Sequence, residues 1–281
     1  MLSPLTYQSV KETKASVASI EGVERPLPAF LRGSWVHFVA ALLFGSAVLN
    51  VFAVLKATDA GHQVQCALSA AICLIAFVHY QQIFKIRTET GSRESFANSS
   101  VAEAYVDALR SSDWALTCPL LIVKLFLLVA PVEPWFEKWG AAGLSVIMVV
   151  LGAFTRLGCD DCAARSNKGS DCSLDTLSRL LGAASWICSA VIFAFLLANL
   201  YIHIDDNQEK RNILNAFFMT WVIFPAISLI AMFWRLVAGG DDPFPVPLSV
   251  IKDLFYGIGD AWTKGVFGIF SFCAAFGIVF P

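Results

Sequence analysis

Apolar residues run along the chain in long blocks broken by short polar stretches. A bilayer crossing takes about 20 mostly apolar residues. Seven blocks are long enough, approximately Trp35–Leu55, Val64–Ile83, Ala104–Val129, Gly140–Leu157, Leu180–Ile202, Ile213–Trp234 and Leu248–Val279. The stretches between them are polar or carry Gly and Pro: Lys56–His62, Lys85–Ser100, Ala130–Glu137, Cys159–Ser178, His203–Asn212 and Ala238–Pro247. Backbone polar groups in lipid must be satisfied within the segment, so the blocks are predicted as helices rather than strands. The pattern therefore predicts an all-α membrane protein, a seven-transmembrane-helix bundle in one domain (34–281) after a polar amino-terminal tail (1–33). The tail has no apolar core near its start, so the first helix is expected to serve as the targeting signal.

Composition agrees. Of 281 residues, 57% are apolar and 15% charged, against about 25% charged in soluble domains. Mean hydropathy is +0.66. With 23 Phe and 8 Trp, this composition excludes a disordered chain and argues against a single soluble domain. A net charge of −2 gives no basic footprint for nucleic acid. Eight Cys are too sparse for a disulfide framework. No metal site is expected, and nothing in the pattern suggests an enzyme.

Charge leaves orientation open. The tail and the second, fourth and sixth connections carry most of the Lys and Arg (Lys85, Arg87, Arg93, Arg165 and Lys168 among them), which would place the amino terminus in the cytoplasm. A possible glycosylation sequon at Asn98-Ser99-Ser100 and the crowding of Cys159, Cys162 and Cys172 point the other way.

The third block, AYVDALRSSDWALTCPLLIVKLFLLV, places Arg110, Asp113 and Lys124 in an apolar run. A charge near the bilayer centre costs about 2.5–3.5 kcal/mol on insertion scales, so such residues face the bundle interior and carry function. Asp113 and Thr117 are four apart and share a face. Lys124, eleven residues beyond Asp113, returns to nearly the same face roughly 16 Å along the axis. Arg110 sits one turn below Asp113. In the seventh block Asp260 and Lys264 are four apart on one face. Asp113, Asp260, Arg110 and Lys264 together form a neutral set, as a low-dielectric cavity requires. Trp114, Trp221, Phe224, Pro225, Tyr256 and Trp262 supply an aromatic lining. A desolvated Lys can form a Schiff base with an aldehyde, so these residues together suggest a flat apolar ligand held covalently.

These residues resemble the microbial rhodopsins, the seven-helix retinal proteins. Arg110-Ser-Ser-Asp113-Trp114-Ala-Leu-Thr117-Cys118-Pro119-Leu-Leu follows their third-helix pattern. Trp221-Val-Ile-Phe224-Pro225 is similar to the sixth-helix Trp-x-x-Tyr-Pro, and Asp260-Ala-Trp-Thr-Lys264 to the seventh-helix Asp-x-x-x-Lys. Phe77-Val-His79-Tyr80 resembles the proteorhodopsin branch. The resemblance implies a bundle of the microbial rhodopsin type with all-trans retinal on Lys264 as a protonated Schiff base. Asp113 and Asp260 are then counterions, Asp113 is the proton acceptor, Arg110 organises the exit side, and His79 tunes Asp113. Trp114, Cys118, Leu121, Trp221, Phe224, Pro225, Tyr256 and Thr263 are the implied cofactor-binding residues. The resemblance also puts the amino terminus, the cysteine loop and the sequon outside. It implies a homo-oligomer in membrane lipid, since related pumps form pentamers or hexamers.

Most such pumps have Asp or Glu where Lys124 stands; a few proteorhodopsin-like pumps have Lys there, giving the triplet Asp113–Thr117–Lys124. A buried amine can act as donor only if it is neutral before it captures the proton that it then passes on. Against this stands a Lys that simply snorkels to the interface. Leu121 is the type found in green-absorbing relatives. Ser228 and Thr263 are further candidates for tuning colour, and Lys252 replaces a release-side glutamate. The expectation is a light-driven outward proton pump moving protons from Lys264 to Asp113, with Lys124 as candidate donor. A light-gated ion channel, for which Cys118 is a candidate gate, and a slow photosensor of the same family remain open.

Overall fold

The computed structural model describes residues 27–88, 100–129, 135–166, 172–204, 208–237 and 246–278, and every regular element among them is helical. Five uninterrupted helices come first: α1 (Leu27–Lys56), α2 (Ala60–Thr88), α3 (Ser100–Val129), α4 (Trp135–Ser166) and α5 (Cys172–Ile202). The sixth rod is α6 (Gln208–Trp221) followed by α7 (Ile223–Val237). The seventh is α8 (Val246–Asp260), a π-helix (Ala261–Val266) and α9 (Phe267–Ala275). Consecutive rods α1 to α5 pack side by side, and the seventh rod closes the bundle against α1 and α2.

Among the described residues six helices are long and apolar enough to cross a membrane by length and composition: Gly33–Lys56, Ala60–Arg87, Tyr105–Val129, Glu137–Phe154, Leu180–Ile202 and Lys210–Ile230. The expected seventh span is present as a rod, but charge and the π interruption set it apart. Phe38, Phe52, Leu55, Phe154 and Val191 are exposed on the outside. Apolar outer faces of this kind are what a multi-pass protein presents to lipid.

Two interior clusters flank the middle. Val36, Val39, Leu43, Ala76, Tyr80 and Ile83 join α1 to α2. Leu121, Leu125, Phe126, Phe217 and Trp221 join α3 to α6. Pro225, in the first turn of α7, has no N–H to return to the Trp221 carbonyl. The rod nevertheless continues, because Val222 N–H donates to Phe218 O at 2.9 Å and Ala226 N–H to Val222 O at 3.1 Å.

Several expected connections are helical instead. Lys85 and Arg87 belong to α2, Lys138 and residues 159–166 to α4, and residues 172–178 to α5. Apolar blocks mark only the lipid-facing part of a helix; helix-favouring residues such as Ala163, Ala164 and Arg165 carry the backbone further. Arg87, counted above as a loop charge, is buried, so it cannot report orientation as a solvated loop residue would. Residues 1–26 of the tail, Asn98 and Ser99 of the sequon, and the side chains of Cys159, Cys162 and Cys172 lie outside the described residues.

Candidate functional site: a buried lysine between two carboxylates

The π-helix sets the geometry of the centre. Its wider turn begins just after Asp260 and contains Thr263 and Lys264, and such single-turn insertions concentrate at functional sites. Thr263 Oγ1 donates to the Gly259 carbonyl at 2.7 Å, a local tie within the helix. Lys264 Nζ lies 2.5 Å from Asp113 Oδ2 and 2.8 Å from Asp260 Oδ1. All three side chains are almost completely buried. Tyr80 OH donates to Asp260 Oδ2 at 2.8 Å, and Trp114 Nε1–H to Asp260 Oδ1 at 3.3 Å. Thr117 is buried beside them, its hydroxyl donating to the Asp113 backbone carbonyl at 2.9 Å.

Arg110 does not complete the neutral set expected around Lys264. Its Nη2 reaches Asp253 Oδ1 at 2.7 Å and its Nη1 lies 3.8 Å from Asp107 Oδ1. Asp253 also meets Arg87 Nη2 at 3.0 Å, and Lys252 Nζ meets both oxygens of Asp107 at 3.1 and 3.0 Å. At formal charge this second buried cluster carries one net positive charge and the Lys264 centre one net negative. Neutrality is thus reached between two clusters. Arg110 stands over the Tyr256 ring at 5.0 Å. Asp107 escaped the sequence reading because it lies near the start of its apolar block, and Arg87 because it falls beyond its block and was counted as a loop charge. Asp253 was overlooked beside Lys252, although it too lies inside the seventh block.

His79 turns its Nδ1–H to the Ile75 carbonyl of its own helix at 2.8 Å and is half-buried. The neighbouring Tyr80 reaches Asp260. Lys124 does not snorkel. It is 3% exposed, more than a turn inside α3, and its Nζ donates to the Phe267 carbonyl at 3.2 Å. It also stands 4.2 Å from the Phe267 ring centroid. Trp262 is 40% exposed and faces outward, a correction to the expected lining.

A cavity with about 730 Å³ of space free of atoms, part of it open to the outside, has Lys264 and Asp260 in its wall. Trp114, Cys118, Trp221, Phe224 and Pro225 line it as expected. Tyr256 stands behind, its ring 5.1 Å from Trp114 and 5.9 Å from Phe224. Leu121 and Thr263 are buried, but neither is among the lining residues. The opposite wall comes from α4 and α5, through Met148, Gly152, Trp186 and Phe193, which carry no chemistry a sequence could flag. Gly259 is needed for the Phe224 wall: a Cβ there would sit 2.6 Å from Phe224 Cζ. Gly259→Ala should cost about 1–3 kcal/mol through overpacking and shift the visible band of the pigment, both read from thermal bleaching and absorption spectra. An unchanged spectrum and melting point would show that the ring moves aside freely.

Fold and site together define a class: membrane-spanning helical bundles with a buried lysine, carboxylate partners and an aromatic cavity. The chain belongs to the bacteriorhodopsin-like protein family, whose profile matches residues 32–278. The fold is similar to that of xanthorhodopsin, described as a light-driven ion pump with dual chromophore, at TM-score 0.65 and 22% identity over 89% of this chain and 94% of that one. It is also similar to the proton pumping rhodopsin AR2 from the marine alga Acetabularia acetabulum (TM-score 0.60, 19% identity, 90% and 97% covered). A third likeness is to the viral rhodopsin OLPVRII (TM-score 0.61, 15% identity, 89% and 100% covered). No curated protein matches the sequence.

Members of this family are light-responsive membrane proteins rather than enzymes, and the cofactor is retinal bound through a lysine Schiff base. The residues fit that group. A primary amine opens onto an apolar, aromatic-walled cavity, and beside it Asp113 Oδ1 is buried with no hydrogen bond from the described residues.

Proposed function

We propose that the protein is a light-driven outward proton pump in which Lys264 holds the retinal and Asp113 receives the proton. The observation that carries this reading is Lys264 Nζ at 2.5 Å from Asp113 Oδ2, with a second amine, Lys124, buried further along the same bundle. Retinal supplies a light-driven change of shape that alters the proton affinity of the nitrogen it shares with the chain. Asp113 then accepts the proton across a single hydrogen bond. Asp260, held beside Lys264 by the Tyr80 hydroxyl and the Trp114 indole, serves as the second counterion. Lys124 returns a proton to Lys264 from the other side and is refilled from water. The direction follows if the amino terminus is outside, which puts the Arg110 cluster at the exit and Lys124 on the cytoplasmic side. Residues 34–281 act as one retinal-binding domain, assembled as a homo-oligomer in lipid.

Illuminated cells in unbuffered medium should acidify it, and a protonophore should abolish the effect. Lys124→Ala should slow recovery of the Lys264 proton by about 100-fold, the scale of a lost general acid, as read by flash photolysis. Unchanged recovery would retire the donor role, and passive currents that reverse with voltage would identify a channel instead.

A further inference from the structure

Beyond Lys264 the seventh rod presents a row of main-chain carbonyls, and four of them accept side chains from other helices. Cys73 Sγ of α2 donates to Lys264 O at 3.2 Å, and Lys124 Nζ of α3 to Phe267 O at 3.2 Å. Asn50 Nδ2 of α1 donates to Gly268 O at 2.9 Å, and Cys66 Sγ to Ser271 O at 3.5 Å. Offsets of three, four and seven residues from Lys264 place these carbonyls on one helical face. The seam therefore runs from Lys264 away from Asp113 and Arg110, along the side where Lys124 lies.

Its centre is a cluster of small polar groups. Cys73 Sγ stands 3.4 Å from Ser46 Oγ. Asn50 Nδ2 reaches the Ser46 carbonyl at 2.8 Å and the Ser46 hydroxyl at 3.5 Å. Ser46, Asn50 and Cys73 are all buried. Gly268 makes the gathering possible: a Cβ there would lie 2.3 Å from Ser46 Oγ, 3.2 Å from Cys73 Sγ and 3.3 Å from Asn50 Nδ2. Asn50 Oδ1 is buried and accepts no hydrogen bond from the described residues. Buried polar groups cost stability unless they are satisfied, and this unused acceptor lies amid a hydroxyl and a thiol.

We propose that Ser46 and Cys73, positioned by Asn50, relay the proton that Lys124 returns to Lys264. This rests on the donor role given to Lys124 above. A hydroxyl and a thiol each hold one hydrogen and free lone pairs. Each can therefore take up a proton and release its own in the same event. Lys124 Nζ loses one proton and becomes a neutral amine, Ser46 and Cys73 end unchanged, Lys264 Nζ gains one, and water refills Lys124. Cys73 also grips the Lys264 carbonyl, so movement of Lys264 changes which acceptor its S–H faces.

The test uses the full chain in membranes. Infrared spectra follow the S–H stretch of Cys73, identified as the band lost in Cys73→Ser. In retinal-free protein that band should shift in Ser46→Ala; a band that stays in place overturns the contact and the relay with it. In the retinal-bound protein, flash photolysis should show Cys73→Ala slowing recovery of the Lys264 proton about tenfold. Cys73→Ser should recover within about threefold of the parent, and transfer to Asp113 should be unchanged in both variants. Cys73→Ala at the parental rate, or Cys73→Ser as slow as Cys73→Ala, overturns the proposal even if the parent pumps. Conversely, a parent that does not acidify its medium overturns the pump reading, while slowed recovery in Cys73→Ala still supports the relay.

Discussion

Lys264→Ala protein, purified and supplied with retinal, should show no visible band, while the parent should be coloured. The effect is expected to be complete because the residue is both attachment point and charge. Its Nζ is the nitrogen facing Asp113 and Asp260. Lys124, also a buried amine, is bound to the Phe267 carbonyl, and the cavity wall includes Lys264 but not Lys124. Folding should survive in part, since alanine suits a helix. The variant nevertheless leaves two buried carboxylates without their shared cation, and breaking a buried pair costs about 3–5 kcal/mol. Circular dichroism of the purified variant separates loss of pigment from loss of fold. A visible band in a helical Lys264→Ala protein would move the attachment elsewhere and end this account of the site.

Asp253→Asn should produce the largest loss of stability outside that centre. Its carboxylate lies 3.0 Å from Arg87 Nη2 and 2.7 Å from Arg110 Nη2, with Arg110 and Asp253 each about 1% exposed. Asparagine keeps the shape and removes the charge, so two buried guanidinium groups lose their common counterion. The expected cost is about 3–5 kcal/mol, measured as accelerated thermal bleaching or a lowered midpoint in denaturant. Combining it with Arg87→Gln should recover part of the loss, because the double variant no longer strands that cation. A single variant within about 1 kcal/mol of the parent would mean that water compensates the guanidinium groups, and that the cluster is solvated rather than dry.

The same cluster shows where reading the chain stops. Arg110, Asp113, Asp260 and Lys264 stand out because charge in an apolar run is costly and helical spacing shows which of them share a face. That logic applies within one helix. It could not show that Arg110 turns toward Asp253, because partners on other helices depend on how the rods rotate against each other. For the same reason the sequence could not show that Tyr80, one residue beyond His79, donates to Asp260 from α2. Lys124 could be read as snorkelling or buried until its amine was seen to donate to the Phe267 carbonyl inside the bundle.

From the chain alone came the membrane class, the seven rods, the lysine with its two acids and the aromatic half of the cavity. Each of these follows from local rules: block length, a period of about 3.6 residues, and the penalty for charge in lipid. Tertiary structure alone decided the α4–α5 wall, the second charge cluster and the seam of carbonyls beyond Lys264. These are made by side chains ordinary in type, or by backbone groups that every residue has, and they gain meaning only from what the neighbouring helices bring within hydrogen-bonding distance.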